Sequence, residues 1–342
     1  MGGATPGQVW KGPKVQDIAR VARVGPATVD RVLNNRPGVR EGTRLKVLAA
    51  LEKLRHDLAE GRATLQIKLF CDSGETFNAT LAQAEAVVNS SMPGVVVQGV
   101  YVPTSQVDPA AFADRVQAEG ASADGVIVVS REHPAINRAI CTLCGQGVAV
   151  VCLTTDLPNS NRSAYVGNDQ YAAGSVAGVL IGNGLPRAPA KILLVNSMPF
   201  RCQQEREMGF RRVLRADFPY LKIDERMMSD DRPQTTTDQL MRYFSKHDYP
   251  AAIYNVAGAN RGVAQAIATV PVEQRPIFVG HELTVHTRAM LESGVMDYVI
   301  SHDFAGELAA AARWIRGAVE GSRAAPGFTQ IVVHTRYNCE GG

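Results

Sequence analysis

The chain has 342 residues, with 36 Lys/Arg against 33 Asp/Glu, and is 45% hydrophobic and 20% charged. That length and balance fit two or three soluble globular domains with full cores, and exclude a collagen, a disordered tail or a disulfide-stapled miniprotein. No run approaches the roughly 20 apolar residues of a membrane span, and Met1 to Gln8 lack the cationic-then-apolar pattern of a secretory leader. The net charge of +3 hides an asymmetry: residues 11–62 hold 12 Lys/Arg and 6 Asp/Glu, a net of +6, while the other 24 basic and 27 acidic residues sum to −3. A basic head on a mildly acidic body points to a nucleic-acid contact confined to the head, although a solvated basic face has the same sum.

In chain order, residues 1–12 are rich in Gly and Pro and read as an unstructured N-terminus. The head that follows is helical by pattern. Ile18, Val21 and Ala22 recur at helical spacing, as do Val29, Val32 and Leu33, and then Leu48, Leu51 and Leu54. Between the first two helices stands Arg23-Val24-Gly25. Gly25 suits an N-cap, and Pro26 suits the first helical position, where the missing N–H had no partner to lose. The pattern is helix, tight turn, helix, with Asn35 to Gly38 as a loop before the third helix. His56 to Leu65 is expected to connect head and body.

From residue 66 the pattern changes. Apolar runs at Ile67–Cys71, Val95–Val102, Gly125–Val129, Val148–Leu153, Lys191–Val195, Ala251–Asn255, Pro276–Gly280 and Asp297–Ile300 alternate with Ala-rich helical stretches. Continuous Val/Ile/Leu runs suit strands covered on both faces, and strand–helix alternation predicts doubly wound parallel sheets. The number of such units exceeds one sheet, so two α/β lobes are expected. The six cysteines, Cys71, Cys141, Cys144, Cys152, Cys202 and Cys339, are scattered and mostly lie in apolar runs, which reads as buried thiols of a reducing cytosol. Cys141 and Cys144 form a CxxC with no second pair or His cluster to complete a tetrahedral metal site.

Three stretches of the head are distinctive: Lys14 to Ala22 (KVQDIARVA), Thr28 to Asn35 (TVDRVLNN) and Thr43 to Leu51 (TRLKVLAAL). In register over about 40 residues they resemble the head of lactose-repressor-type (LacI/GalR) transcriptional regulators. In the body, Val166-Gly167-Asn168-Asp169, Arg206-Glu207-Met208-Gly209-Phe210, Val279-Gly280-His281-Glu282 and Val299 to Asp303 resemble landmarks of that family's sugar-binding core. The resemblance implies an α/β fold of two doubly wound parallel-sheet lobes, periplasmic-binding-protein-like of type I, with an N-terminal all-α helix-turn-helix domain. It also implies a homodimer. The boundaries that follow are residues 1–12 as N-terminus, 13–55 as the DNA-binding domain and 56–65 as hinge. Residues 66–166 with 303–325 would form one lobe, and 167–302 with 326–342 the other, the chain crossing near Val166, His302 and Ala325.

In a helix-turn-helix the second helix enters the major groove with its first residues at base edges. Here those are Pro26, Ala27 and Thr28. Pro26 and Ala27 are apolar and can touch a thymine methyl but cannot hydrogen-bond a base, which leaves Arg31 as the candidate reader of guanine O6 and N7. Thr28, Asn34, Lys14 and Lys46 are candidate phosphate contacts. Arg23 stands where the family carries a turn Gly, so the turn requires an unusual dihedral there or a different geometry, and Asp30 puts a carboxylate near phosphates. Relatives insert a hinge Leu into the minor groove, and Leu58 is the residue available for that.

Ligands of parallel α/β sheets bind at the carboxyl ends of the strands. The polar residues there are Asp72, Ser73, Arg131, Glu132 and Asp156 in the first lobe, and Arg206, Asn255, Glu282, His302 and Asp303 in the second. This inventory suits vicinal hydroxyls, with Phe77, Phe200 and Phe304 as rings for an apolar sugar face. The resemblance favours Arg206, Glu282 and Asp303 most. The chain is read as a cytoplasmic, nucleoid-associated regulator, a repressor by preference, of carbohydrate uptake or catabolism. Its partners would be double-stranded operator DNA and a small carbohydrate-like effector, with no cofactor, metal ion or membrane. GxGxxG after the first body strand, GxxxxGK[ST], GxSxG and HExxH are all missing, which argues against an enzyme. The apolar Pro26 and Ala27 and the acidic Asp30 keep open a sugar-binding regulator with degenerate DNA reading. A solute-binding protein and an α/β enzyme remain the less favoured alternatives.

Overall fold

The computed structural model describes residues 13, 15–34, 36–60, 64–197, 200–322 and 325–339. The chain divides into two units between Leu65 and Gln66. Lys14 and the side chain of Leu58 lie outside the described residues.

The first unit is three helices: α1 (Val15–Ala22), α2 (Pro26–Leu33) and α3 (Glu41–Glu60). Their apolar stripes meet in a small core of Ile18, Ala19, Ala22, Val29, Val32, Val47, Ala50 and Leu51. The turn after α1 is closed by the Val24 N–H, which donates to the Ala19 carbonyl at 3.0 Å, with Arg23 at φ +55°. This is the left-handed C-terminal cap that glycine usually fills, and a side chain there costs roughly 1–2 kcal/mol. Gly25 is the N-cap of α2 with Pro26 at its start. The third helix does not stop at residue 55. It continues through Glu60, because no Gly or Pro interrupts it between Gly42 and Gly61, and the first half of the expected connector is therefore helix.

The second unit holds two sheets. The first is built from β1 (Leu65–Ser73), β2 (Val95–Pro103), β3 (Gly125–Val129), β4 (Ala149–Leu153) and β5 (Ala164–Val166), in the order β2-β1-β3-β4-β5. Helices α4 (Glu75–Ser91), α5 (Pro109–Gly120) and α6 (Pro134–Gly145) alternate with these strands. After β5 come α7 (Gln170–Gly184), β6 (Ala190–Asn196), α8 (Arg201–Asp217), β7 (Leu221–Met228), α9 (Pro233–Phe244) and β8 (Ala252–Asn255). The chain ends with α10 (Asn260–Ile267), β9 (Ile277–His281), α11 (Val285–Glu292), β10 (Tyr298–Ser301), α12 (Phe304–Val319) and β11 (Val332–His334). The second sheet runs β11-β10-β9-β8-β6-β7, parallel except for β11, which pairs antiparallel with β10. Both its faces are buried, one around Ala177, Ile192 and Phe210 and the other around Leu240, Ile253 and Ile267. This explains the unbroken apolar runs of its central strands.

Three strands escaped the sequence pattern for physical reasons. Edge strand β7 reads Leu-Lys-Ile-Asp-Glu-Arg-Met-Met, its charges suiting an unpaired border. β5 and β11 have three residues each, too few to show a period. The chain passes between the sheets three times: after β5, after β10, and after α12, which packs on α4, β4 and β5. The first and third passages run side by side, with Asn168 bridged to Thr329 and the Thr329 N–H donating to the Gly167 carbonyl at 3.0 Å.

The cysteine reading holds for half of the residues. Cys71, Cys152 and Cys339 are buried, Cys144 and Cys202 are half-buried, and Cys141 is exposed because it faces outward from α6.

Candidate ligand cleft and nucleic-acid interface

Strand ends of both sheets open onto one cleft of about 200 Å³. Packing of α7 against α8 sets its floor. A Cβ on Gly174 would lie 1.8 Å from the Arg206 carbonyl oxygen, and one on Gly209 would lie 2.0 Å from the Tyr171 carbonyl oxygen. Only glycine permits this approach, and the approach fixes where Arg206 stands. The Arg206 side chain is 3% exposed; Nη1 and Nη2 both donate to Glu282 Oε1 at 3.2 Å, and Nε donates to Gln170 Oε1 at 2.7 Å. Burial is the largest single influence and works against the Arg206 charge, but the Glu282 carboxylate, with smaller contributions from Cys202 and Tyr254, raises the guanidinium above its ordinary range.

Three residues lining the cleft sit just past strands in left-handed backbone: Thr154 (φ +60°), Asp231 (φ +61°) and Glu282 (φ +67°). Such conformations cost roughly 1–3 kcal/mol each and gather at binding sites, where surrounding structure over-determines them. Asp231 Oδ1 accepts the Gly258 N–H at 2.8 Å. Burial pushes the Asp231 carboxyl above the usual range, against the Ser197 and Gly258 hydrogen bonds. The imidazole of His281 lies beneath Glu282, with Nε2 2.8 Å from the Tyr254 hydroxyl. Burial, then the Arg206 and His302 charges, hold it well below the usual histidine range, so it is neutral at pH 7. Cys202 also lines the cleft; burial raises its thiol, which leaves it protonated and unactivated at neutral pH.

Of the residues expected at the ligand, Ser73, Phe77, Phe200, Arg206 and Glu282 line this cleft, as does Phe304, whose ring meets Phe77 edge-on with centroids 5.4 Å apart. The others have different tasks. Asp72 is fully buried, because side chains alternate along β1 and only Ser73 faces the cleft; its carboxylate is held by Arg131 Nε at 3.2 Å, with Thr104 and Ser130 beside it. That pairing removes Arg131 as well. Glu132 accepts from Asn137 and Asn159. Asp156 is fastened to Arg162 at 2.6 Å. Asn255 has no exposed surface and shapes the β8–α10 turn through Ala257 N–H (3.1 Å) and Asn260 Oδ1 (2.7 Å). His302 is buried with Nδ1 2.9 Å from Glu307 Oε2. Asp303 caps α12 by accepting the Gly306 N–H at 2.9 Å. His302 and Asp303 border a neighbouring groove between α4 and the start of α11.

Sequence reasoning missed Gln203, Asp231, Arg232, Asn260 and Arg261 in the cleft wall. Asp231 and Arg232 follow β7, so missing that strand hid them. Pro233 at the first position of α9 was the available signal, since it marks a helix start immediately after a strand-end loop.

In the first unit, Pro26, Ala27, Arg31, Asn34 and Lys46 are exposed, while Thr28 is half-buried. Asp30 is neutralised locally: Arg36 Nη1 lies 3.1 Å from Oδ2, and Asn34 Nδ2 donates to Oδ1 at 2.7 Å and to the Asp30 carbonyl at 3.0 Å. Both amide hydrogens of Asn34 are thus committed, which removes it as a phosphate donor. Arg31 stays on the exposed face of α2, one turn from its start.

Two family profiles match the chain. Residues 73–323 match the periplasmic binding protein domain, and residues 14–56 match the bacterial regulatory proteins of the lacI family. An uncharacterized HTH-type transcriptional regulator in the aml 5′ region of Streptomyces limosus is 51% identical over 45 residues, which is 13% of this chain and 13% of that protein. Among solved structures, the glucose-galactose binding protein GanP of Geobacillus stearothermophilus superposes with a TM-score of 0.70 at 20% identity, covering 81% of this chain and 99% of that one. A solute-binding protein of Burkholderia graminis in complex with D-arabinose gives 0.73 at 17% identity over 82% and 98%. One from Bacillus halodurans with bound myo-inositol gives 0.71 at 13% identity over 82% and 98%. No helix among the described residues is long and apolar enough to cross a membrane.

Proposed function

Because this chain belongs to the periplasmic-binding-protein domain family and carries a lacI-family regulatory head, we propose that it is a cytoplasmic transcriptional regulator. In this reading it binds operator DNA as a homodimer and responds to a small carbohydrate-like effector held between its lobes. The observation that carries the reading is the presence, in one chain, of an exposed helix-turn-helix arginine and a two-walled cleft centred on a buried Arg–carboxylate pair. Glu282 Oε1 takes both Arg206 donors, so Oε2 is the ligand-facing acceptor. Together with Asp231 it supplies acceptors for sugar hydroxyls, and Phe77 and Phe304 supply rings for an apolar sugar face. Lobe closure on the effector would change operator affinity only by the effector's different affinity for the two lobe arrangements.

The test is a thermal-shift screen of the full chain with D-arabinose, D-tagatose, D-glucose, D-galactose and myo-inositol. A sugar at 100 times its Kd stabilises by about 2.7 kcal/mol, which is read as a raised Tm. No shift with any of them contradicts the carbohydrate reading. For the head, Arg31→Ala is expected to weaken binding to the chain's own upstream DNA by about 1–3 kcal/mol while random DNA loses much less. Equal losses in a gel-shift titration would reassign Arg31 to the phosphates. The exposed, apolar Pro26 and Ala27 favour a second reading, a sugar-binding regulator with degenerate DNA recognition. That reading predicts no preference of the wild-type chain for its own upstream DNA, with or without sugar.

A further inference from the structure

The Arg206–Glu282 pair is one end of a hydrogen-bonded chain that leaves the cleft. Gln170 opens α7 directly after the first passage between the lobes and is 2% exposed. Its Oε1 accepts from Arg206 Nε at 2.7 Å, and its Nε2 donates to the Thr154 carbonyl at 2.9 Å. Arg206 lies in the second lobe and Thr154 directly follows β4 of the first, so a single amide bridges the two. The Thr154 hydroxyl donates in turn to Glu307 Oε2 at 3.4 Å. Glu307, in the first turn of α12, has no exposed surface. Its Oε2 lies 2.9 Å from Nδ1 of His302 on the second passage, and its Oε1 accepts from the Thr329 hydroxyl on the third. Thr329 closes the circuit through its N–H to the Gly167 carbonyl on the first.

Buried polar groups are tolerated only while their partners stay in place. Rotation of one lobe against another is absorbed at the few residues that join them. We propose that Gln170 is a positioning residue: it holds Arg206 toward the ligand and, through Thr154 and Glu307, ties the Arg206–Glu282 pair to all three passages. A ligand engaging Glu282 then changes which lobe rotation this circuit favours. Only this last step rests on the ligand reading given above. The bridge itself rests on the hydrogen bonds and on the 2.9 Å contact between His302 and Glu307.

The full chain tests it in two arms, with Gln170→Met, which keeps length and volume but loses both hydrogen bonds, and Gln170→Glu, which keeps the acceptor toward Arg206 and loses the N–H toward Thr154. Without ligand, amide hydrogen exchange at residues 154–155, 167–169 and 329 should be about tenfold faster in both variants, with the central strands of each sheet unchanged. Unchanged exchange at the passages, or an equal rise through both sheets as a merely structural residue would give, overturns the proposal. In the second arm, the sugar that most raises the wild-type Tm is titrated and its effect on retardation of upstream DNA is measured. Gln170→Met should bind the sugar more weakly and, even at a sugar concentration that saturates it, lose most of the sugar's effect on DNA affinity. A sugar effect equal to wild type overturns the proposal. If no sugar moves the wild type, the carbohydrate reading fails, and the exchange arm alone upholds or overturns the bridge.

Discussion

The two walls of the cleft differ in their balance of charge. On the first lobe the charged strand-end residues are spent on partners within that lobe, Asp72 on Arg131, Glu132 on Asn137 and Asn159, and Asp156 on Arg162. That wall presents mainly hydroxyls and rings, Ser73, Thr76, Thr104, Thr154, Phe77 and Phe304, with Glu75 its single charged lining residue among the described residues. On the second lobe Asp231, Arg232, Arg261 and Glu282 remain at the surface of the cleft. Charge-assisted hydrogen bonds are about twice as strong as neutral ones. The second lobe therefore offers the cleft the stronger hydrogen-bonding groups, and the first mainly neutral ones.

Substitution of Glu282 should separate the walls most. Glu282→Ala leaves Arg206, 3% exposed, without its carboxylate. Stranding a buried charge costs about 3–5 kcal/mol, read as a lower denaturant midpoint, and the sugar-dependent Tm shift should vanish. Ser73→Ala on the facing wall should cost no more than about 1.5 kcal/mol. Similar losses for the two would break the distinction.

A smaller contrast comes from the backbone beneath the walls. Gly174→Ala drives a Cβ to 1.8 Å from the Arg206 carbonyl oxygen, and should cost about 1–3 kcal/mol as α7 and α8 are forced apart. Gly145→Ala, at the end of α6 in the first lobe, meets nothing within 4 Å and has no left-handed φ. It should stabilise by about 0.4–1 kcal/mol. Chemical denaturation of both variants measures how much the close approach of α7 to α8 matters against a glycine that meets nothing.

The smallest effect is in pH dependence. His281 takes a proton more readily unfolded than folded, its folded value lying well below 6.5. Its contribution to stability is complete above pH 6.5 and is lost as pH falls toward the folded value, with a slope of at most about 1.4 kcal/mol per pH unit. Asp231 has the opposite sign: its carboxyl is raised above 3.8, so its contribution is present below 3.8 and lost as pH rises through the raised value. His281→Gln should flatten the decline of Tm between pH 7 and 5.5. An unchanged decline would place the titrating group elsewhere.

The elements were legible where apolar residues repeat: the three head helices and the central strands of both sheets. Edge strand β7 was not, because alternating charges mask a strand whose border faces water, and losing it concealed Asp231 and Arg232. Arg206 and Glu282 were found from their likeness to a family, while Gln170 and Glu307 carried no local mark. Their role is visible only in the residues that surround them.

Periodicity, turn chemistry and charge distribution by themselves determined a basic helical head, an α/β body and the chemical character of the strand ends, since these depend on neighbours along the chain. Tertiary structure alone decided which polar residues line the cleft. Successive side chains on a strand face opposite ways, so Asp72 is buried where Ser73 is not, and the pair at the centre of the cleft joins residues 76 positions apart. The packing of α7 against α8, glycine to backbone, is what positions Arg206 for that pair.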